Sequence, residues 1–559
     1  MNSEILENLA ELCVRKGIVN AILCPGSRSA PLTLAFARIK KIKCWTFSDE
    51  RSAAFIAMGM AQTTHVPSVL VCTSGSATYN FAPAIAEAFF QRIPMIVFTA
   101  DRPPEWIDQF DGQTIRQKAL YGNHVKKYFE LPVDYSHPDA AWHANRIVNE
   151  AINLSQTEPK GPVHVNAPFR EPLYESVSKN SKKEIRVIET IAGESTLTAE
   201  NWNALRDEIK GFKKILIVAG QCEENAKLCQ ALNDFNTIYP WPITGDILSN
   251  LHSLQFFCRH SDTFLGQTST SEKESLLPDL LITFGKSLIS KNLKLLLRKY
   301  RPKAHWHLQT AGETADTFQS LTRIVPLSPT QFFRELTKST PLHKKTKSEF
   351  QNLWLSFEKQ AKKKIETFFL SKNAGEFMLV KEVLELLPAN CHLHLANSMA
   401  VRYANHIGLG YAQKKVVVFA NRGTSGIDGC SSTAVGHTLS SKFPNVLITG
   451  DLAFFYDRNA YWHNYRLPNL FVVVLNNHGG IIFNLIDGPA GLPEANEFFI
   501  TEQRLNAKSL AAEFGYSYHD ASKTDLKEFF RPVRHAKILE IDSSQMLNKK
   551  LFEEFKRKK

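Results

Sequence analysis

The residues best placed to do chemistry stand at the ends of two apolar runs. Val446-Leu447-Ile448-Thr449 breaks into Gly450-Asp451, and Leu470-Phe471-Val472-Val473-Val474-Leu475 breaks into Asn476-Asn477-His478-Gly479-Gly480. Short apolar runs that open into Gly, Asp or Asn read as buried parallel strands meeting their carboxyl-end loops, where ligand sites form. Asp451, an amide oxygen from Asn476 or Asn477, and a loop carbonyl would then converge from neighbouring strand ends. These are hard oxygen ligands suited to Mg²⁺, which holds near-octahedral geometry and usually bridges to a phosphate. The two stretches read together as a metal-diphosphate clamp.

Such a clamp needs parallel sheets to hold it, and the chain supplies them in series. Ala21-Ile22-Leu23-Cys24 reads as a strand that turns through Pro25-Gly26-Ser27-Arg28-Ser29 into a helix. Cys44-Trp45-Thr46-Phe47 ends in Ser48-Asp49-Glu50-Arg51 ahead of an Ala- and Met-rich helix, and residues 68–72 and 95–99 repeat the pattern. Pro162-Val163-His164-Val165-Asn166 closes the series. Strand, polar turn and helix in alternation predict a doubly covered parallel sheet with its working loops along one edge. A second alternation contains strands at 214–218 and 280–284; a third contains 392–395, 416–419, the two clamp runs and 537–540. The expectation is an α/β protein of three doubly wound parallel-sheet domains, 1–185, 186–345 and 346–559, since 559 residues exceed what one core usually holds. Gly285-Lys286-Ser287 imitates the end of a phosphate-binding loop, but Leu280 stands where that motif needs Gly.

Composition narrows the functional classes. Apolar residues at 43% and charged residues at 22% describe an ordinary globular protein. Residues 1–17 alternate acidic and apolar positions at helical spacing, with no basic region before an apolar core, so they read as a helix rather than a signal peptide. No apolar run approaches the roughly 18 residues of a membrane span. Nine cysteines, odd in number, widely spaced and without Cys-x-x-Cys, read as reduced core residues of a cytoplasmic protein. The net charge is +12, with much of the surplus at 291–303, 344–364 and 556–559. Those runs carry no helix-turn-helix, zinc-finger or RNA-binding signature, so they read as solvated faces rather than a nucleic-acid surface. A basic balance also suits a protein that gathers small polyanions.

The Gly-Asp answered one strand later by Asn-Asn resembles the fingerprint of the thiamine-diphosphate enzymes. Leu452 stands where most of that superfamily has Gly, and longer strings narrow the likeness: Pro25-Gly26-Ser27-Arg28-Ser29, Ala100-Asp101-Arg102-Pro103-Pro104-Glu105, Ile115-Arg116-Gln117, Asn397-Ser398 and Asn421-Arg422-Gly423-Thr424-Ser425-Gly426-Ile427-Asp428-Gly429. Together they resemble the menaquinone-biosynthesis synthases of that superfamily, which tend to carry Gly-Asp-Leu, over essentially the whole chain. The resemblance implies a pyruvate decarboxylase-like architecture: a first domain for the aminopyrimidine, a central structural domain, and a third for the diphosphate and Mg²⁺, with Mn²⁺ as a substitute. It implies a homodimer or dimer of dimers, in which the first domain of one subunit faces the third domain of its partner. Glu50 matches the family's catalytic glutamate, which bonds the pyrimidine ring nitrogen and favours the tautomer that takes up the thiazolium proton. Asp451, Asn477 and the Gly479 carbonyl match the metal ligands, with Asn476 as the alternative to Asn477. Ile427 matches the bulky side chain wedged between the cofactor's two rings, and Ser398, Gly423, Ser425 and Gly450 match further cofactor contacts.

The implied substrates, 2-oxoglutarate and isochorismate, are both dicarboxylates and need fixed cations. Arg28, Arg102, Arg402 and Arg422 stand on turns or helix starts after strands, and Arg forks match carboxylates in two-point geometry. Ser27 and Gln113 match polar contacts, and Phe483 and Ile486 an apolar wall. Lys291-Asn292 aligns with a Lys-Arg pair of relatives, which makes Lys291 the candidate middle-domain contact. The implied reaction decarboxylates 2-oxoglutarate and adds the succinyl-semialdehyde carbanion equivalent to isochorismate. The alternative within the superfamily is a plain 2-oxo-acid decarboxylase or acetohydroxyacid-type synthase, which leaves four arginines unexplained. A serine hydrolase would need Gly-x-Ser-x-Gly, and Gly423-Thr424-Ser425-Gly426 has the wrong spacing. A non-catalytic binding protein would not require Glu50 and Asp451 together.

Overall fold

The computed structural model describes residues 3–174, 185–191, 193–338, 349–371, 374–485 and 489–557. Three six-stranded sheets form its frame, and every strand pairing among these residues is parallel. From edge to edge the first sheet runs Lys43–Trp45, Asn20–Leu23, Ser68–Cys72, Met95–Asp101, Pro162–Pro168 and Tyr128–Glu130. The third runs Val417–Phe419, His392–Leu395, Asn445–Gly450, Leu470–Asn476, Lys537–Asp542 and Ser517–Asp520. Numbered within each sheet, both orders are 2-1-3-4-6-5. The middle sheet runs Arg323–Val325, Ala304–Leu308, Leu280–Phe284, Ile215–Ala219, Ile243–Gly245 and Phe257–Cys258, which is 6-5-4-1-2-3, the order of a dinucleotide-binding sheet.

Central strands such as Met95–Asp101 and Ile215–Ala219 are buried at every residue, as strands covered on both faces must be. The short edge strands Lys43–Trp45 and Ser517–Asp520 are partly exposed. Each sheet order reverses between its first and third strands in the outer sheets, and loops beyond the carboxyl ends diverge at such a point to leave a crevice.

The outer sheets are joined through two helices. Helix Glu50–Thr64 is buried at every residue from Ser52 to Ala61, since it packs on its own sheet and on helix Cys430–Ser440 of the third unit. A Cβ added to Gly59 would stand 2.3 Å from the Thr433 carbonyl oxygen, and one added to Gly436 2.2 Å from that of Ile56. Only glycine lets the two backbones approach this closely. Asp49 caps the first of these helices by accepting the Ser52 N–H at 3.1 Å, which fixes the turn that carries Glu50. The resulting core runs without a break from Ile22 and Phe55 to Leu447 and Leu470.

The middle unit has its own core around Phe235, Trp306 and Phe333. Its buried contacts with the other two include Gln221 Nε2, which donates to Gln91 Oε1 (3.1 Å) and to the Ala420 carbonyl (3.2 Å), and Asn250, which exchanges two hydrogen bonds with the Val418 backbone (3.1 and 2.8 Å). All nine cysteines are free thiols. No helix among the described residues is long and apolar enough to cross a membrane.

Candidate active site

Strands Asn445–Gly450 and Leu470–Asn476 are paired in register as far as Gly450 opposite Leu475, so Asp451 and the two asparagines leave the sheet side by side. Asp451 is 2% exposed and opens helix Asp451–Tyr456. Burial raises its pKa, opposed by hydrogen bonds from Gln503 and from the Leu452 and Gly479 N–H groups. Gln503 Nε2 donates both to Asp451 Oδ2 (2.7 Å) and to Asn476 Oδ1 (3.0 Å).

The two asparagines differ in what they have left to offer. Asn476 is spent on the loop: its Nδ2 donates to the Leu505 carbonyl (3.0 Å) and Glu540 Oε1 (2.8 Å), and its Oδ1 also accepts the His478 N–H (3.2 Å). Asn477 Nδ2 donates to Glu376 Oε1 at 2.7 Å, while its buried Oδ1 has no hydrogen-bond partner among the described residues. An unpaired buried acceptor costs about 1–3 kcal/mol. Such an oxygen beside a buried carboxylate fits a divalent cation, which would satisfy both. Gly479 follows on the same turn, where a Cβ would stand 2.9 Å from the Ile500 carbonyl oxygen. The donor set therefore suits a hard, oxygen-bound metal.

At the reversal of the third sheet lies a cavity lined by basic side chains, Lys291, Lys294, Arg402 and Arg422 among them, and by Ile482 and Leu485, which follow the Gly479 turn in sequence. Ser398 ends the loop after His392–Leu395 with φ 71°, and its carbonyl accepts Arg402 Nη1 at 2.5 Å across the first turn of helix Met399–Ile407. Arg422 follows strand Val417–Phe419 and donates from Nη1 to Asn397 Oδ1 at 2.8 Å. Asn397 in turn donates from Nδ2 to the Asn421 and Gly426 carbonyls (2.7 and 2.6 Å), stapling the loop that carries Gly423, Ser425 and the exposed Ile427. The buried Glu87 of the first unit holds the same loop, accepting the Gly423 and Thr424 N–H groups at 2.8 and 2.6 Å.

Arg402 and Arg422 line a cavity of about 560 Å³ together with Lys291, Lys294, Ile482 and Leu485. Burial and then the charge of Arg422 lower the pKa of Arg402. Burial lowers that of Arg422, against the carboxylates of Asp246 and Glu87, and that of Lys294, against Asp246. A guest with two negative charges would relieve this crowding.

A second group lines the carboxyl edge of the first sheet. Glu50, the first residue of its helix, accepts a hydrogen bond from Asn80 Nδ2 at 3.3 Å. Its neighbour Arg51 turns away, donating to the Tyr456 carbonyl (2.8 Å) and lying over the Tyr456 ring. Arg28 donates to the Phe169 carbonyl (3.0 Å) and pairs with Glu171 (3.4 Å); Arg102 pairs with Asp111 (2.6 Å) and donates to the Gly112 carbonyl (2.7 Å). Burial, then the nearby charge of Arg102, lowers the pKa of Arg28. Gln113, at φ 57°, passes beside Gly75, and Ser27 is exposed on the turn before Arg28. None of Ser27, Arg28, Glu50, Arg102 and Gln113 lines the Arg402–Arg422 cavity of the same chain.

Of the two residues expected to form an apolar wall, Phe483 does not line this cavity. Ile482 and Leu485 face the cavity, whereas the Phe483 ring packs at 5.8 Å from Phe499. Ile486 lies outside the described residues. Lys294 was legible in principle, since it stands three residues after Lys291 on one face of helix Lys291–Lys299. Glu376, Gln503 and Glu87 reach their partners from distant parts of the chain and carry no local signal.

Two family models match the chain: the N-terminal TPP binding domain of thiamine pyrophosphate enzymes over residues 4–124, and the middle domain of thiamine pyrophosphate over 176–395. Curated relatives include proteins named 2-succinyl-5-enolpyruvyl-6-hydroxy-3-cyclohexene-1-carboxylate synthase from three bacteria. That of Cytophaga hutchinsonii is 44% identical over 99% of this chain and 98% of its own. Those of Flavobacterium johnsoniae and Porphyromonas gingivalis are 39% identical over 92% and 91%, and 36% identical over 97% and 94%. With identity at this level sustained across nearly the full length, the chain belongs to the 2-succinyl-5-enolpyruvyl-6-hydroxy-3-cyclohexene-1-carboxylate synthase family of thiamine pyrophosphate enzymes.

Proposed function

We propose that the protein decarboxylates 2-oxoglutarate and joins the remaining four-carbon unit to isochorismate, giving 2-succinyl-5-enolpyruvyl-6-hydroxy-3-cyclohexene-1-carboxylate and CO₂ in menaquinone biosynthesis. Thiamine diphosphate, when bound, supplies the electron sink that decarboxylation requires. The chain's own residues bind, orient and shield. Asp451, Asn477 and the Gly479 carbonyl would hold Mg²⁺ or Mn²⁺, and Ser398, Gly423, Ser425 and Gly450 would contact the cofactor. Glu50 would share a proton with the pyrimidine ring nitrogen, and Ile427 would pack against the cofactor. Arg402 and Arg422 take the carboxylates of the substrates, with Lys294 or Lys291 adding a third cation and Ile482 and Leu485 excluding water.

The first-sheet group of Ser27, Arg28, Arg102 and Gln113 lies outside that cavity within one chain. We therefore place the complete site between two subunits of a homodimer or dimer of dimers. Nine free thiols accord with a cytoplasmic enzyme.

The observation that carries the reading is the presence of Arg402 and Arg422 on one cavity, the charge complement of a dicarboxylate. Incubation with thiamine diphosphate, Mg²⁺, 2-oxoglutarate and isochorismate, followed by mass analysis, should give the joined product with one CO₂ per turnover. Release of CO₂ without the joined product would make the protein a plain 2-oxo-acid decarboxylase.

A further inference from the structure

An amide side chain has two unlike ends, and only its oxygen can bind a cation. Whether Asn477 can serve the clamp therefore depends on what holds its amide the right way round. The group that does so is Glu376. This carboxylate is wholly buried at the start of helix Glu376–Glu385, far from Asn477 in sequence, and its Oε1 accepts Asn477 Nδ2 at 2.7 Å. An acceptor can face only the amino end, so Oδ1 is turned the other way, and that is the oxygen left without a partner.

Glu376 is itself held in place. Its backbone N–H donates to Asn548 Oδ1 (3.0 Å), Ser543 Oγ donates to its Oε1 (3.3 Å), and Asn548 Nδ2 donates to Ser543 Oγ (2.8 Å). Asn548 belongs to helix Gln545–Lys556, so the orientation of one amide is anchored to two helices as well as to the strand end that carries it.

We propose that Glu376 is a positioning residue for the metal clamp: it fixes the Asn477 amide so that its oxygen faces the cation, without touching cation or cofactor. The inference rests on the reading of Asp451 and Asn477 as a metal site. Residues that orient metal ligands typically contribute 10- to 100-fold in metal affinity.

The test uses Mn²⁺ as the probe, titrated into the full-length protein with excess thiamine diphosphate, with free Mn²⁺ read from its electron paramagnetic resonance signal. Glu376→Met removes the acceptor and should weaken Mn²⁺ binding about 10- to 100-fold. Glu376→Asp withdraws the carboxylate by one methylene and should weaken it as well, which covers the case in which the Met variant does not fold. Glu376→Gln keeps a carbonyl oxygen for Asn477 Nδ2 and should retain affinity close to wild type. A purely structural role would lower the melting temperature in chelator and leave the Mn²⁺ dissociation constant unchanged. Wild-type affinity in folded Glu376→Met or Glu376→Asp would overturn the proposal, as would a loss in Glu376→Gln as deep as that in Glu376→Asp. Failure of the wild-type protein to bind Mn²⁺ would overturn the clamp itself, and the inference with it.

Discussion

Burial and the charge of Arg422 both work against the charged form of Arg402, and burial works against that of Arg422, so a guest anion in their cavity would stabilise both. A hydrogen bond to a charged group contributes about 1.5–3 kcal/mol, so Arg402→Ala and Arg422→Ala should each lower kcat/KM for the dicarboxylate pair by about 10- to 150-fold. Steady-state kinetics equal to wild type would remove them from substrate binding. Glu50 is expected to act on a proton, which a hydrogen bond alone does not replace. Glu50→Gln should still bind thiamine diphosphate, while exchange of the thiazolium proton with deuterated water, followed by NMR after acid quench, slows by about 10²–10⁴-fold. Unchanged exchange would remove Glu50 from the role. The arginines were visible in the sequence because each follows a strand-like run, and position after a strand is a local signal. Glu376 was not visible, because what distinguishes it is a 2.7 Å contact to a residue a hundred positions away.

At the scale of elements, the legible strands were those buried on both faces, whose unbroken apolar runs announce themselves: Met95–Asp101, Leu280–Phe284, Asn445–Gly450 and Leu470–Asn476. Tyr128–Glu130 and Ser517–Asp520 carry no such run, since edge strands need only one partner and tolerate polar residues. The contact between helices Glu50–Thr64 and Cys430–Ser440 was equally hidden, although it sets where the first and third sheets stand relative to each other. Its two glycines make it testable. Gly436→Ala forces a methyl group to within 2.2 Å of the Ile56 carbonyl oxygen unless the helices separate. Overpacking of this kind costs about 1–3 kcal/mol, so the variant should melt measurably lower than wild type in a calorimetric scan. An unchanged melting profile would show that the helices can slide apart freely.

At the scale of the whole molecule, two sheets have identical strand order, and the unit built on a middle sheet of different order brings Lys291 and Lys294 to the Arg402–Arg422 cavity; the proposed site divides between the two outer sheets. If the halves combine across a two-fold axis, Glu50 and Asp451 of one chain serve different sites. Inactive Glu50→Gln and Asp451→Ala chains, mixed and allowed to reassociate at random, should then recover about a quarter of wild-type activity, because half the dimers are mixed and each has one intact site of two. Confirmed subunit exchange without recovery would rule out the shared site. The claim beneath all of these is that the ends of Asn445–Gly450 and Leu470–Asn476 bind the cofactor through a metal. Isothermal titration of thiamine diphosphate into wild type and Asp451→Ala, each with Mg²⁺ and with chelator, tests it most directly. Wild type should bind only with Mg²⁺, and the folded variant should not bind in either condition; thiamine-diphosphate affinity in Asp451→Ala equal to wild type would contradict the account.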